Sequence, residues 1–354
     1  MSRAPIPQPV RAPTALLTPE LRPAIPARKA LRPPELSVVI VNYRQWQDTL
    51  ALVRQLHQDP ALREGAAEVV VVDNHSPKDP AVHRLRRWPG VSLWRARHNR
   101  GFAAGANQGC RLGRGRWLML LNPDTSVPAD FLDRTIALAD SLAAEDPGAG
   151  VVGFGLRHSD GSRQHSFGPF PTLFGSVARL LLPRARRKYH AIAPQRRCRV
   201  PWLTGCCLLL RRDCYEQLGG FDEDFFLYYE DVDLCRRATG RGWSVWYEPA
   251  LTVTHHRPLH ARAVPAHLRL FTRHASLTYA RKHWPGWHAR GLARAVGAAA
   301  SLRRRLAAWR GDTDAAEAFT ALGAVAADLA AQRPDDARRN LDRFVRRREA
   351  QLVR

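Results

Sequence analysis

Three apolar runs, each ending in Asn or Asp, constrain this chain more than any other feature: SVVIVN at 37–42, EVVVVD at 68–73 and WLMLLN at 117–122. Unbroken Val, Ile and Leu suit strands buried on both faces, as in a parallel sheet covered by helices. Helical periodicity fills the spaces between them. Trp46, Leu50, Val53 and Leu56 share one side after the first run, and a helix is expected from about Ala103. Another, carrying Phe131, Ile136, Leu138 and Leu142, follows Pro128 and leads to a strand VVGFG at 151–155. With a short strand at 91–96, this alternation predicts an α/β fold with a mainly parallel central sheet.

The flanks differ in kind. Residues 1–34 hold nine prolines and little apolar periodicity, and read as a disordered, basic, extended arm. Residues 35–265 form the α/β unit, in which 157–199 is a long excursion over one face. Residues 266–354 are rich in Ala, Leu and Arg, with helical spacing in Leu292, Val296, Leu302, Leu306 and Trp309. That predicts a basic helical C-terminal extension. From Arg257 onward there are 20 Arg and Lys against 8 Asp and Glu, about half of the net charge of +23. Such charge attracts an anionic partner without choosing between nucleic acid, an acidic membrane surface and a phosphorylated substrate. The six cysteines form no CxxC pair and are expected as free thiols in a cytosolic protein. No apolar run approaches the ~20 residues needed to span a bilayer. The expectation is a cytoplasmic chain that touches the inner face of the membrane at most.

Ligands of open parallel sheets bind beyond the carboxyl ends of the strands, so polar residues there carry the chemistry. The second run ends in Asp73-Asn74, able to accept from a base or ribose edge, or simply to make a turn. The third ends in Asn122-Pro123-Asp124, where proline sets the turn and a carboxylate faces the crevice as a hard ligand for Mg2+ or Mn2+. The loop HNRGFAAGANQG at 98–109 puts small residues ahead of a helix and is expected to offer free N–H groups to phosphate. Between 222 and 233 lie Asp222, Glu223, Asp224, Glu230, Asp231 and Asp233 around FFLYY, with Glu216 upstream. In so basic a chain this cluster is expected to be functional. If Glu230 starts a helix, the acidic residues of its first turn also suit the exposed N–H groups there. His255 and His256 close the last strand, where a neutral imidazole can join Asp124 on a metal.

Taken in order, SVVIVNYR, VVVVDNHSPKD, NRGFAAGANQG, LLNPDT, WLTGCCLLLRR, GGFDEDFFLYYEDVDLCRR and His255 resemble the family two inverting glycosyltransferases, above all rhamnosyltransferase-like bacterial members. The resemblance spans roughly 36–256. It implies a GT-A fold and a nucleotide diphosphate sugar donor, linked to dTDP, UDP or GDP. It also implies a saccharide or lipid-linked acceptor in cell-surface polysaccharide assembly. By the same resemblance Asp231 is the catalytic base and Glu230 its neighbour at the acceptor. The donor subsite takes in Asn42, Asp73, Asn74, Asn99, Gly101, Asn107, Asn122, Trp202 and Gly205. Asp124 stands for the last carboxylate of the metal-binding DxD element, with Asn122 replacing its first Asp, and His255 is the second ligand of a divalent Mg2+ or Mn2+. Two other classes compete: a nucleic-acid-binding protein built on the basic termini, and a nucleotidyltransferase on the same nucleotide-sugar fold.

Overall fold

A computed structural model describes residues 33–181, 194–258 and 264–353. The proline-rich arm therefore lies outside the described residues, apart from Pro33 and Pro34. Twelve strands occur among them: β1 Leu36–Asn42, β2 Ala67–Asp73, β3 Val91–Arg95, β4 Trp117–Leu121, β5 Thr125–Ser126 and β6 Ala149–Arg157. The short β7 Arg163–Gln164, β8 Phe167–Gly168, β9 Cys198–Arg199 and β10 Trp202–Leu203 follow, then β11 Cys207–Arg211 and β12 Ser244–His255.

The main sheet runs β3-β2-β1-β4-β11-β6-β12-β5. β3, β2, β1 and β4 are parallel neighbours, and β6 pairs parallel with β12. β11 enters antiparallel between β4 and β6. The predicted α/β fold with a mainly parallel sheet is what forms, for the reason the sequence offered: every residue of β1 is buried.

Apolar clusters cover both sides of the sheet. One packs alternate residues of β1 and β2 against the helices Trp46–Leu56 and Phe131–Glu145. The other packs Val39 and Val41 of β1 and Leu118 and Leu120 of β4 against Phe102–Leu112, Arg212–Leu218 and Glu230–Gly240. Beyond β12 the chain forms four helices, Ala266–His283, Gly286–Trp309, Thr313–Ala330 and Pro334–Val353, with their own apolar cluster. Phe226, from the acidic aromatic segment, is buried in that cluster and lies 5.0 Å from Phe271 between ring centroids. The helical C-terminus is thus present, but its apolar spacing divides: Leu292 and Val296 are buried, while Leu302, Leu306 and Trp309 face solvent.

Candidate active site

Because β1, β2 and β4 are adjacent and parallel, Asn42, Asp73 and the segment 122–124 leave the sheet at one edge. Asn42 stands opposite Asp73 in the register. The buried Asp73 accepts from Asn42 Nδ2 at 2.9 Å, from Ser76 N at 3.2 Å and from Arg95 Nε at 2.8 Å. Asn42 Oδ1 accepts from the Gln45 amide and the Thr49 hydroxyl. Asn74 Nδ2 donates to Asn99 Oδ1 at 2.8 Å and to the Gly101 carbonyl at 2.9 Å. Asn42, Asp73, Asn74, Asn99 and Gly101 therefore form two linked knots that set the shape of this edge. Backbone strain gathers here as well: Arg44 and His75, just past β1 and β2, hold φ of 58° and 69°.

The Gly-rich loop departs from expectation. Three of its amides are spent internally: Arg100 N donates to Asn74, Gly101 N to Asn99, and Phe102 N to the Phe226 carbonyl. The glycines serve packing. A Cβ on Gly101 (φ +93°) would lie 2.3 Å from the Phe226 carbonyl oxygen, and one on Gly109 would lie 2.2 Å from Val39 Cγ1. Asn107 departs too. Its amide is spent on the Phe221 backbone, Glu223 and the Tyr215 hydroxyl, all within 3.1 Å, so it braces the acidic segment and has no group left for a donor.

At the next strand end Asp124 and His255 do come together, with Asp124 Oδ1 3.4 Å from His255 Nε2. Asp124 N–H geometry is not what joins them; the pairing of β12 with β5 sets His255 opposite Thr125, and His256 N donates to the Asp124 carbonyl at 2.9 Å. Burial pushes the Asp124 carboxyl up, but the His255 hydrogen bond, its charge and Arg257 outweigh this and leave it below the usual carboxylate range. Gln164, which the sequence did not single out, lies 3.0 Å from His255 Nδ1 through its amide nitrogen, while its buried Oε1 has no partner. With that amide flipped, Oε1 would accept from an Nδ1–H, the tautomer in which Nε2 is free to ligate a cation in place of donating to Asp124. Adjacent ligands of an octahedral ion at about 2.1 Å stand about 3 Å apart, close to the observed separation. Two protein ligands with phosphate oxygens and water completing the shell suit Mg2+ or Mn2+, and among the described residues no group of three or more acidic, His or Cys ligands gathers.

The acidic segment sorts itself by partner. Asp222 pairs with Lys282, Asp224 with Arg281 and Glu223 with Arg100, while Glu216 pairs with Arg212 inside its own helix. Asp233 is held by Arg237, Lys282 and His283. Glu230 and Asp231, which open the helix Glu230–Gly240, form no ion pair among the described residues. Tyr228 and Tyr229, both left-handed at φ 73° and 66°, aim that helix start at the cleft. Asp231 Oδ2 accepts from Gly205 N at 2.7 Å and Oδ1 from its neighbour Val232 N at 2.8 Å. The next carbonyl, Cys206 O, accepts from Asn122 N at 2.9 Å, so two consecutive residues tie the Asp231 carboxylate to the Asp124 turn. Gly205 thus holds Asp231 through its N–H, and Trp202, whose indole donates to the Pro169 carbonyl, packs with Phe170, Tyr228 and Tyr229 beside it.

Burial raises the pKa of both carboxyls, that of Glu230 well above the ordinary value, with the Asp231 charge adding to it. Two backbone N–H donors favour ionised Asp231, whereas buried Glu230 Oε2 has no partner. The two N–H donors let Asp231 give up its proton more readily than Glu230. A poised carboxylate, a pair of hard cation ligands and a walled strand-end cleft are the equipment for activating a hydroxyl against a phosphorylated leaving group.

The fold and this cleft define a GT-A glycosyltransferase. Residues 33–275 match the family described as Glycosyltransferase like family 2, and the chain belongs to that family. It is 32% identical over 246 residues to the N-acetylglucosaminyl-diphospho-decaprenol L-rhamnosyltransferase of Mycobacterium tuberculosis, covering 64% of this chain and 78% of that one. It is 26% identical to the low-salt glycan biosynthesis hexosyltransferase Agl10 of Haloferax volcanii, covering 64% and 68%. Among solved structures, GalNAc-T7 with UDP, GalNAc and Mn2+ superposes with a TM-score of 0.50 at 16% identity, covering 69% of this chain and 48% of that chain. The nucleic-acid-binding and nucleotidyltransferase expectations give way to a sugar-transferring enzyme.

Proposed function

We propose that this enzyme moves a sugar, with rhamnose the first candidate, from a nucleotide diphosphate donor to a saccharide or lipid-linked acceptor in cell-surface polysaccharide assembly, with inversion at the anomeric carbon. The observation that supports the reading is the pair of backbone ties through Gly205 and Cys206, which link the Asp231 carboxylate, free of any ion pair among the described residues, to the turn that carries Asp124. The mycobacterial relative named for a lipid diphosphate acceptor supports the acceptor class. The Mn2+ and UDP named with GalNAc-T7 support the donor and metal classes. A working position at the inner face of the cell membrane follows from a lipid-linked acceptor. Among the described residues no helix is long and apolar enough to cross a membrane.

In this mechanism Asp231 takes the proton from the acceptor hydroxyl, which is a weak nucleophile until it is removed. Attack on the face opposite the leaving diphosphate inverts the anomeric centre. Protonated Glu230 leaves the negative charge on Asp231 and has an unpaired oxygen to orient the acceptor. Asp124 and His255 would hold Mg2+ or Mn2+, which supplies neutralisation of the charge developing on the diphosphate. Trp202, with Phe170 and Tyr229, supplies an aromatic wall on the Asp231 side that suits the apolar face of a sugar.

The test is transfer from dTDP-, UDP- and GDP-sugars by the wild type and Asp231→Asn. The variant is expected to lose ~10² to 10⁴ in rate while still binding donor. Turnover within a few fold of wild type would remove the role of Asp231.

A further inference from the structure

We propose that the helix Gly286–Trp309, together with Phe174 on the neighbouring helix Leu173–Leu181, is a docking face for an anionic lipid bilayer. Trp287, Leu302, Leu306 and Trp309 are 66%, 70%, 43% and 81% exposed, and Phe174 is 86% exposed. At 3.6 residues per turn the four helix positions fall within about 100° of arc. The buried residues Leu292, Ala293, Val296, Ala300 and Ala307 occupy the opposite side, against the C-terminal apolar cluster. This helix therefore has a second apolar face that no other described residue covers. The helix Leu173–Leu181, which carries the exposed Phe174, packs against it.

Charge selects the occupant. On the same wheel Arg294 and Arg305 lie at one edge of the stripe and the C-cap residue Arg310 lies past the other. Arg294, Arg304, Arg305 and Arg310 are exposed and form no ion pair among the described residues. A second copy laid on this face would bring like charges together. A phosphate backbone would neutralise the arginines and leave the tryptophans and leucines in water. Anionic headgroups over an acyl boundary satisfy both, since the apolar side chains enter the interface while the guanidinium groups stay at headgroup level. Phe170, packed against the cluster that holds Val232 next to Asp231, lies four residues before Phe174 in the chain. The inference deepens the lipid-linked acceptor reading and rests on it for its purpose, but vesicle capture is read without any sugar.

The full-length chain is sedimented with vesicles of phosphatidylcholine alone and of phosphatidylcholine mixed with phosphatidylglycerol, at low and high salt. Capture is expected on the anionic vesicles, weakened by salt, and reduced at least about tenfold in the double variant Leu302→Gln, Trp309→Gln. Both side chains are exposed, so the variant should keep the wild-type melting temperature and its transfer to a short soluble acceptor. Failure of the wild type to sediment, equal capture of the double variant, or a dimer that the double variant dissolves overturns the proposal. Anionic capture without any sugar transfer would instead count against the enzymatic reading and leave the docking face standing.

Discussion

At the scale of single residues, similar side chains in this chain have separate tasks, and hydrogen-bond partners decide which. Asp231 and Asp233 are two positions apart on one helix, yet Asp233 faces Arg237, Lys282 and the His283 imidazole while Asp231 meets only backbone N–H groups. The first is a clamp and the second can accept a proton. Gln164 is a comparable case on the cation side. A ligating imidazole is oriented by the partner of its other nitrogen, and losing such a partner costs 10- to 100-fold in metal affinity. Gln164→Leu is expected to weaken Mn2+ binding by roughly that factor, measured by titration calorimetry with donor nucleotide present. Unchanged affinity would show that Gln164 does not set the His255 tautomer. No sequence signal marked this residue, because a Gln in a two-residue strand has neither periodicity nor motif around it.

At the scale of elements, the Gly-rich segment shows how a phosphate-loop reading can be replaced by a packing one. Gly101 combines φ +93° and ψ 173°, a region open to glycine alone, with a contact that leaves no volume for a methyl group. Gly101→Ala is expected to destabilise the protein by at least about 2 kcal/mol in urea unfolding, from backbone strain and the clash with Phe226 together. An effect near zero would mean the loop and the segment 221–229 can separate freely. The strands behave differently, since their apolar runs allowed little but burial on both faces. β11 is the exception in direction. Its CLLLR run is as apolar as its parallel neighbours, and only its place between β4 and β6 reveals that it runs antiparallel.

At the scale of the whole molecule, the C-terminal helices brace the acidic segment 222–233. Asp233 joins the helix that opens with Asp231 to the end of Ala266–His283, and Phe226 inserts among the helices beyond β12. Burial alone would raise the Asp233 carboxyl, but the His283 hydrogen bond, Arg237 and Lys282 outweigh it and set it far below the ordinary value. With the folded value depressed, its stabilising contribution is fully present above an unfolded pKa of about 3.9 and is lost as pH falls from there toward the folded value. Asp233→Asn is expected to cost roughly 3 kcal/mol at neutral pH. It should also flatten the decline of stability below about pH 4, followed by denaturant unfolding across pH. An unchanged acid slope would show that the clamp does not join the two parts.

The order of strands and helices and the strand-end positions of Asp73, Asp124 and His255 were legible in the chain, because burial and turn chemistry act locally on residue type and spacing. Only the tertiary structure could separate the free carboxylates from the paired ones, spend loop amides and Asn107 on internal bonds, and turn Leu302, Leu306 and Trp309 outward. Those outcomes depend on which groups distant in sequence arrive within about 3 Å of each other, and neither periodicity nor composition encodes that distance.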